Sequence, residues 1–356
     1  MAKSSTRAQA RQRLNTSKAK IWAKEWLDAI VWALTVAVIV RTFFFEAYRI
    51  PTPSMERTLL TGDFLIVSKL NYGLRTPMAF GIPFTEINWN GVEFPWTRLP
   101  GWQDIQRNDI VVFNYPIDDA IISNKTNYIK RAVAVPGDTL EIRDKVLYLN
   151  GTAEDQRPTY EQIYRVVPRE RVRLSEAKVR LAGGQIRGTD AQAYYISLTQ
   201  EGRATVASWP EVSAVERYVR PAEINDYATS PFDFRRGMAS NHDHIAPFVV
   251  PGRDLTIELT DATWPIYRTA VVRYEGNRVD RTADGGFMVN GEPASRYTFR
   301  KNYYFMMGDN RDNSEDSRMW GFVPEDHVIG KPAIIYLSID TERWLPRLGR
   351  IFNLIN

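Results

Sequence analysis

Residues 128–138 read Y-I-K-R-A-V-A-V-P-G-D. Apolar and β-branched residues closed by Pro-Gly-Asp predict a strand, and within it Lys130 and Arg131 stand side by side. Side chains alternate between the two faces of a strand, so one of these cations points inward or lies at an edge. An edge lysine that discourages aggregation is the plain alternative. Similar runs flank the segment: D-F-L-I-V-S-K-L (63–70), D-I-V-V-F-N-Y (109–115), T-L-E-I (139–142) and K-V-L-Y-L (145–149), the last followed by an Asn150-Gly151 turn. A mainly β, antiparallel architecture is expected from this pattern.

The chain has 356 residues, 44% hydrophobic and 25% charged, a composition that folds rather than stays disordered. It has no cysteine, which excludes disulfides, thiolate zinc sites and cysteine nucleophiles. Three histidines, His242, His244 and His327, leave a Ser/His/Asp triad little choice of base. The net charge of +4 is unevenly spread, because residues 1–24 carry Lys3, Arg7, Arg11, Arg13, Lys18, Lys20 and Lys24 and no acid.

After this arm, Trp26 to Phe45 forms an apolar stretch that as a helix spans roughly 30 Å, about one hydrocarbon thickness. Asp28 and Arg41 interrupt it near its ends, and the uncharged run between, residues 29–40, also suits a signal-peptide core or a buried soluble helix. Trp22, Trp26 and Phe43 to Phe45 are placed as interfacial anchors, which favours a membrane helix. The positive-inside rule then holds the basic arm in the cytoplasm and sends the chain after about residue 46 across the membrane.

Residues 73–103, with Phe80, Phe84, Trp89, Phe94, Trp96 and Trp102, read as an extended excursion whose aromatics touch a membrane interface or pack as a plain loop. An amphipathic helix is expected around 211–224. An internal echo links V-P-G-R-D-L-T-I-E-L (250–259) to V-P-G-D-T-L-E-I (135–142), and F-M-V-N-G-E (287–292) to L-Y-L-N-G-T (147–152). It reflects either a duplicated β-unit or two turns built from the same residues. The basic and apolar tail, 343–356, rests on a membrane surface, packs on the protein or is disordered.

Two further stretches carry candidate chemistry. P-T-P-S-M-E-R-T-L (51–59) holds Ser54, able to cap a helix, fill a turn or attack a carbonyl; M-G-D-N-R-D-N-S-E-D-S-R-M-W-G-F (307–322) is a polar run that lacks EF-hand spacing. In order behind an N-terminal apolar helix, these two segments and Y-I-K-R-A-V-A-V-P-G-D resemble bacterial type I signal peptidases. The resemblance covers residues 25–71, 109–150 and 297–340.

It implies a membrane-anchored serine endopeptidase with Ser54 as nucleophile and Lys130 as general base. An ordinary lysine is protonated at neutral pH, and moving its pKa near 7 or 8 takes on the order of 4 kcal/mol, which burial beside Tyr128, Ile129 and Ala132 can supply. The resemblance further implies that Thr52 and the Ser54 N–H stabilise an oxyanion and that Ser314 orients Lys130. It places Arg131, Asp309, Asp316 and Arg318 in structural ion pairs, and Ile50, Pro51, Met55, Leu59, Tyr128 and Ile129 in pockets for the small residues of A-x-A-like signal-peptide ends.

The organisation implied is a basic N-terminus (1–24), a transmembrane helix (25–46), a signal-peptidase-like antiparallel β catalytic domain in two parts (47–152 and 297–342), a large β-rich, α+β insertion (153–296) and the tail. No metal or cofactor is called for. The implied partners are preprotein signal peptides leaving the secretion machinery and membrane lipid, with no nucleic acid; the implied site is the outer side of the bacterial cytoplasmic membrane.

The chain departs from the family pattern at Arg57, where proline is usual, and at Pro53, where glycine is common. S-E-A-K (175–178) satisfies a β-lactamase serine/lysine pattern without its companion motifs, and His242, Asp243 and His244 lack the further ligands of a metal site. A self-cleaving repressor shares the dyad chemistry, but there is no room for a helix-turn-helix before Ser54. An inactive, anchored binding domain is the other rival.

Overall fold

The structure, a computed structural model, describes residues 2–78, 94–169, 172–224, 234 and 241–355, with the backbone alone for 2–19. The chain opens with helix α1 (Ala2–Phe43). Its segment Lys20–Phe43, 24 residues with mean hydropathy 1.7, is long and apolar enough to cross a membrane, and none of it is buried in the protein. That length is roughly 36 Å. The helix stops at Phe43, short of the Phe45 expected from sequence, because Phe45 is already paired with Ser68 in the first strand. Lys69 donates to the carbonyl of Arg41 (3.0 Å) at the helix C-terminus and pairs with Glu46 at 2.8 Å, which ties the end of α1 to the sheet.

The strands β1 (Phe45–Arg49), β2 (Asp63–Ser68), β3 (Ile110–Asn114) and β4 (Asn127–Ala134) follow. A meander of β5 (Thr139–Arg143), β6 (Val146–Leu149) and β7 (Thr152–Ala153) comes next. A separate sheet is built from β8 (Gln162–Pro168), β9 (Gln185–Thr189), β10 (Tyr194–Leu198) and β11 (Val212–Arg217), with helices α2 (Glu176–Leu181) and α3 (Gln200–Ala207). Then come β12 (Ile245–Val249), β13 (Thr256–Glu258), β14 (Val279–Arg281), β15 (Phe287–Val289), β16 (Glu292–Pro293) and β17 (Arg296–Thr298). The chain ends with β18 (Tyr303–Met307), β19 (Val323–Pro324), β20 (Val328–Ser338) and β21 (Asn353–Leu354).

The largest sheet runs β1-β2-β20-β3-β4-β18-β19, with β21 added on β20, and all its pairings are antiparallel. Bulges in β20 at Phe64/Leu65 and Ile66/Val67 of its partner, and again between Val328 and Gly330, curl this sheet. β4 is therefore an interior strand between β3 and β18, and Lys130 is not an edge lysine.

The stretch expected to be an insertion holds two parts that pack differently. The sheet of order β11-β8-β10-β9 has its own core of Tyr164, Val166, Leu174, Val179, Ile196, Leu198, Val206 and Val212. Residues from Ile245 to Phe299 instead share a core with Val133, Leu140, Tyr303 and Phe305, and β12 pairs directly with β5. The helix expected around 211–224 is a correction: Val212–Arg217 is strand β11, because its β-branched residues fill the open edge of β8 and bury Val212.

The internal echo resolves into a shared turn. Asn150 and Asn290 both have left-handed backbone (φ 53 and 54) before a glycine, and each accepts through its side chain from the residue that opens its hairpin, Thr139 or Arg278. The matching 250–259 segment does not repeat the first unit, since β13 pairs with β17 rather than with a hairpin partner.

The ends of the 73–103 excursion form an antiparallel ribbon through Thr76–Thr97 and Phe94–Met78 backbone bonds, while Phe80, Phe84 and Trp89 lie outside the described residues. The tail packs: Arg350 meets Asp63 at 2.6 Å and the Thr58 carbonyl at 3.0 Å, while Trp344, Leu345, Leu348, Phe352 and Leu354 stay exposed.

Replacing Asn290 by valine forces a β-branched residue into left-handed backbone and removes the bond to Arg278. We expect a loss of about 2 kcal/mol in denaturant unfolding, with no change in the main sheet.

Candidate active site

Ser54 lies in a single 3₁₀ turn, Pro53–Met55, that follows β1. Backbone bonds Ile50–Asp63 (2.8 Å) and Gly62–Ile50 (2.9 Å) extend the β1–β2 ladder to the foot of this turn. Proline fits at its first position, where an N–H has no partner inside the turn. Thr52 precedes it in extended conformation (φ −129), is exposed, and makes no capping bond with its hydroxyl. Asn310 fastens the turn from the other side, donating its N–H to the Ser54 carbonyl (3.1 Å) and its side-chain amide to the Pro53 carbonyl (3.2 Å).

Lys130 reaches this turn from β4. Its Nζ is 2.8 Å from Ser54 Oγ and 3.0 Å from the Ile129 carbonyl, and only 3% of the residue is exposed. Tyr128, two residues back on the same face, places its ring 5.1 Å from the same nitrogen. Burial pushes the Lys130 pKa down to about 8; Asp316, Glu315 and Asp309 act in the opposite direction and do not restore it. Among the described residues no carboxylate comes within ion-pair distance of Lys130.

Two arginines occupy the nearest buried carboxylates. Arg131, on the opposite face of β4, grips Asp309 through two bonds of 2.9 and 2.7 Å, and Arg318 grips Asp316 through two of the same lengths. Arg131, Asp309 and Asp316 are essentially inaccessible. Burial alone would raise the Asp316 pKa, but the Arg318 guanidinium and the Gly308 N–H outweigh it and hold the carboxyl below its usual range. Each carboxylate is thus a charged acceptor already matched by a fork of donors, so neither is free to hold the lysine in its charged state.

Gly308 lets these pieces meet. A Cβ there would lie 2.2 Å from Ser314 Oγ and 2.5 Å from the Ser54 carbonyl oxygen, closer than any side chain can pack. Ser314 is therefore wedged beside the Ser54 turn. Its hydroxyl leans toward Asp316 and helps lower that carboxyl, but it forms no hydrogen bond of full geometry and none to Lys130.

The six expected pocket residues divide. Tyr128 and Ile129 are half-buried and Pro51 is exposed. Ile50, Met55 and Leu59 instead belong to a core cluster with Leu65, Ile110 and Ile335; Met55 and Leu59 present no surface, because the turn packs its apolar side onto β2 and β20.

Arg57 has φ +72, a conformation closed to proline and strained for arginine by roughly 1–2 kcal/mol. Its side chain crosses to Glu161 at 2.6 Å. Sequence reasoning gave no role to Gly308, Asn310 or Glu161. The first two sit inside the quoted polar motif, whereas nothing local marks Glu161.

The decoys have ordinary duties. Ser175 caps α2 by accepting from the Lys178 N–H, and Lys178 pairs with Glu211. His244 contacts the Arg220 carbonyl at 2.9 Å, Asp243 accepts from the Arg220 N–H, and His327 is packed beside Asp326.

Comparison with known proteins bears on this constellation. The family model described as signal peptidase, peptidase S26, matches residues 23–204 and 274–337. A signal peptidase I of Buchnera aphidicola (subsp. Acyrthosiphon pisum) is 27% identical over 332 residues, covering 92% of this chain and 80% of that protein. Those of Haemophilus influenzae (27% over 321 residues; 90% and 71% covered) and Aquifex aeolicus (26% over 306 residues; 86% and 80%) are similar. Among solved structures, a signal peptidase I from Enterococcus faecalis V583 shares 20% identity with a TM-score of 0.22, covering 64% of this chain and 96% of that one.

A buried lysine titrating near 8 penalises the folded state below that pH, because the unfolded lysine keeps its ordinary value. Lys130→Met should therefore raise stability at pH 7 by about 3 kcal/mol. Thermal melts should show this gain shrinking as pH rises from about 8 toward the unfolded lysine value near 10.4, where the amine is neutral in both states.

Proposed function

The chain belongs to the signal peptidase family, peptidase S26, and is a peptidase of signal peptides; from that premise we propose that Ser54 is its nucleophile and Lys130 its general base. The observation that carries the reading is the 2.8 Å approach of a buried, uncompensated lysine to a serine held in a tight turn. In the neutral state the amine accepts the Ser54 hydroxyl proton as Oγ attacks the scissile carbonyl. The tetrahedral intermediate places its oxyanion toward the Ser54 N–H and the Thr52 hydroxyl, both near the turn's open end. Its collapse breaks the C–N bond, and the Lys130 ammonium returns the proton to the leaving amine. Water, deprotonated by the same lysine, then attacks the acyl ester and releases the signal peptide with Ser54 restored.

Ser314, packed against Gly308, leans toward Asp316, one of the carboxylates acting on Lys130, and so acts on the lysine through that charge. The substrate is a preprotein whose signal peptide ends in small residues of the A-x-A kind, read along Pro51, Tyr128 and Ile129. The exposed apolar helix Lys20–Phe43 anchors the enzyme, the basic arm before it stays in the cytoplasm, and the β-body lies outside. The exposed Trp344, Leu345, Leu348 and Phe352, with Arg343, suit contact with lipid.

Purified full chain in detergent should cut a preprotein after an A-x-A end, and Ser54→Ala or Lys130→Ala should each lower the rate by about 10³-fold or more. The kcat/KM of wild type should fall tenfold per pH unit below an apparent pKa near 8, since only the neutral amine is competent. A folded wild type that cuts no such substrate, or a Lys130→Ala variant that stays active, defeats the assignment.

A further inference from the structure

We propose that the small sheet unit of residues 160–217 sets the position of the nucleophile turn, acting through Arg57 and Glu161 as positioning residues for Ser54. The inference rests on the reading of Ser54 as nucleophile.

Arg57 lies three residues beyond Ser54 and leaves the turn in left-handed backbone. The conformation is held by what its side chain meets: Nε donates to Glu161 Oε1 at 2.6 Å, and Nη2 donates to the carbonyl of Gly183. These partners come from two different elements of the unit, the start of β8 and the end of α2. Gly183 has φ +75, and a Cβ on it would stand 3.3 Å from Arg57 Nη2, so the guanidinium is seated closely against that turn.

Glu161 is a joint rather than a surface acid. The residue is 3% exposed, Arg57 is its ion-pair partner, and its second oxygen accepts from Ser197 Oγ of β10 at 3.1 Å. Its backbone bridges the polar motif as well, donating to the Asp309 carbonyl (3.0 Å) and accepting from the Arg311 N–H (2.9 Å). Asn310, between those two residues, holds the Ser54 and Pro53 carbonyls. One residue of the small sheet therefore touches both sides of the nucleophile turn, by its side chain through Arg57 and by its main chain through Asn310. Because a buried carboxylate needs its counter-charge, Arg57 is held at Glu161 and the turn is held with it.

The test uses full-length protein in detergent, a preprotein with an A-x-A end, and the variants Arg57→Ala, Arg57→Lys, Glu161→Gln and the Arg57→Ala/Glu161→Gln double, with Ser54→Ala alongside. Glu161→Gln keeps the shape and the Ser197 partner, so it folds where Arg57→Ala, which strands a buried charge, need not. Each single loss should lower kcat about 10- to 100-fold with KM changed less than about twofold and the acid limb of the pH profile unmoved. The double variant should be no worse than the worse single one, and Arg57→Lys should recover part of the rate.

Unchanged kcat in Glu161→Gln overturns the proposal. So does a loss that disappears at lower temperature in step with restored folding, a rise in KM at constant kcat, or additive losses in the double variant. If Ser54→Ala itself still cleaves, the nucleophile reading has failed instead; if Ser54→Ala is inactive while the Arg57 and Glu161 variants match wild type, only the positioning role is lost.

Discussion

A primary amine is buried beside Ser54 with its charged form disfavoured, and much of the surrounding structure bears on that placement. Lys130 is placed on an interior strand and almost fully buried, yet the polar motif that packs over it brings two buried carboxylates, Asp309 and Asp316, and the exposed Glu315 into the neighbourhood. Left bare, the two buried ones would favour the ammonium. Arg131 and Arg318 absorb them through paired hydrogen bonds, so the lysine feels burial more than it feels acid. The two consecutive cations of β4 thus have opposite duties. Alternation along the strand sends Arg131 to a carboxylate and Lys130 to a serine, and a slip of one residue would exchange them.

The sheet's order explains how residues so distant in sequence meet. β3 and β18 flank β4, and the chain leaving β18 turns directly over the Ser54 turn at Gly308. The Ser54 turn is gripped from several directions: by Asn310 from the polar motif, by Arg57 on the small sheet, and by Arg350 of the tail on the Thr58 carbonyl. A short turn with little intrinsic rigidity is made firm by long-range partners, and the Ser54 hydroxyl is held 2.8 Å from the Lys130 amine.

Much of this was legible from sequence where the signal was local. Short runs rich in β-branched residues marked β2 to β6, with Pro-Gly after β4 and Asn-Gly after β6, and the hydrophobic helix announced itself by length. The pairing of Ser54 with Lys130 came from motif resemblance, and the geometry places the two side by side. What was not legible depended on tertiary neighbours. Residues 212–217 form a strand because β8 offers an open edge; Met55 and Leu59 sink into the core because the turn's underside faces β2 and β20; Ser314 meets Gly308 and Asp316 rather than Lys130. The oddity at Arg57 was visible, but its partner lies 104 residues away and carries no motif.

The end of α1 is fastened to the sheet by Lys69, and the five-residue strand β1 is what separates that helix from the turn bearing Ser54. Such a strand is roughly 17 Å long. On the proposed anchoring through Lys20–Phe43 and the proposed role of Ser54, so short a link works as a ruler: reach, as much as side-chain fit, would decide which peptide bonds are cut, because a bond presented far above the bilayer would lie beyond Ser54 however well its flanking residues matched the site.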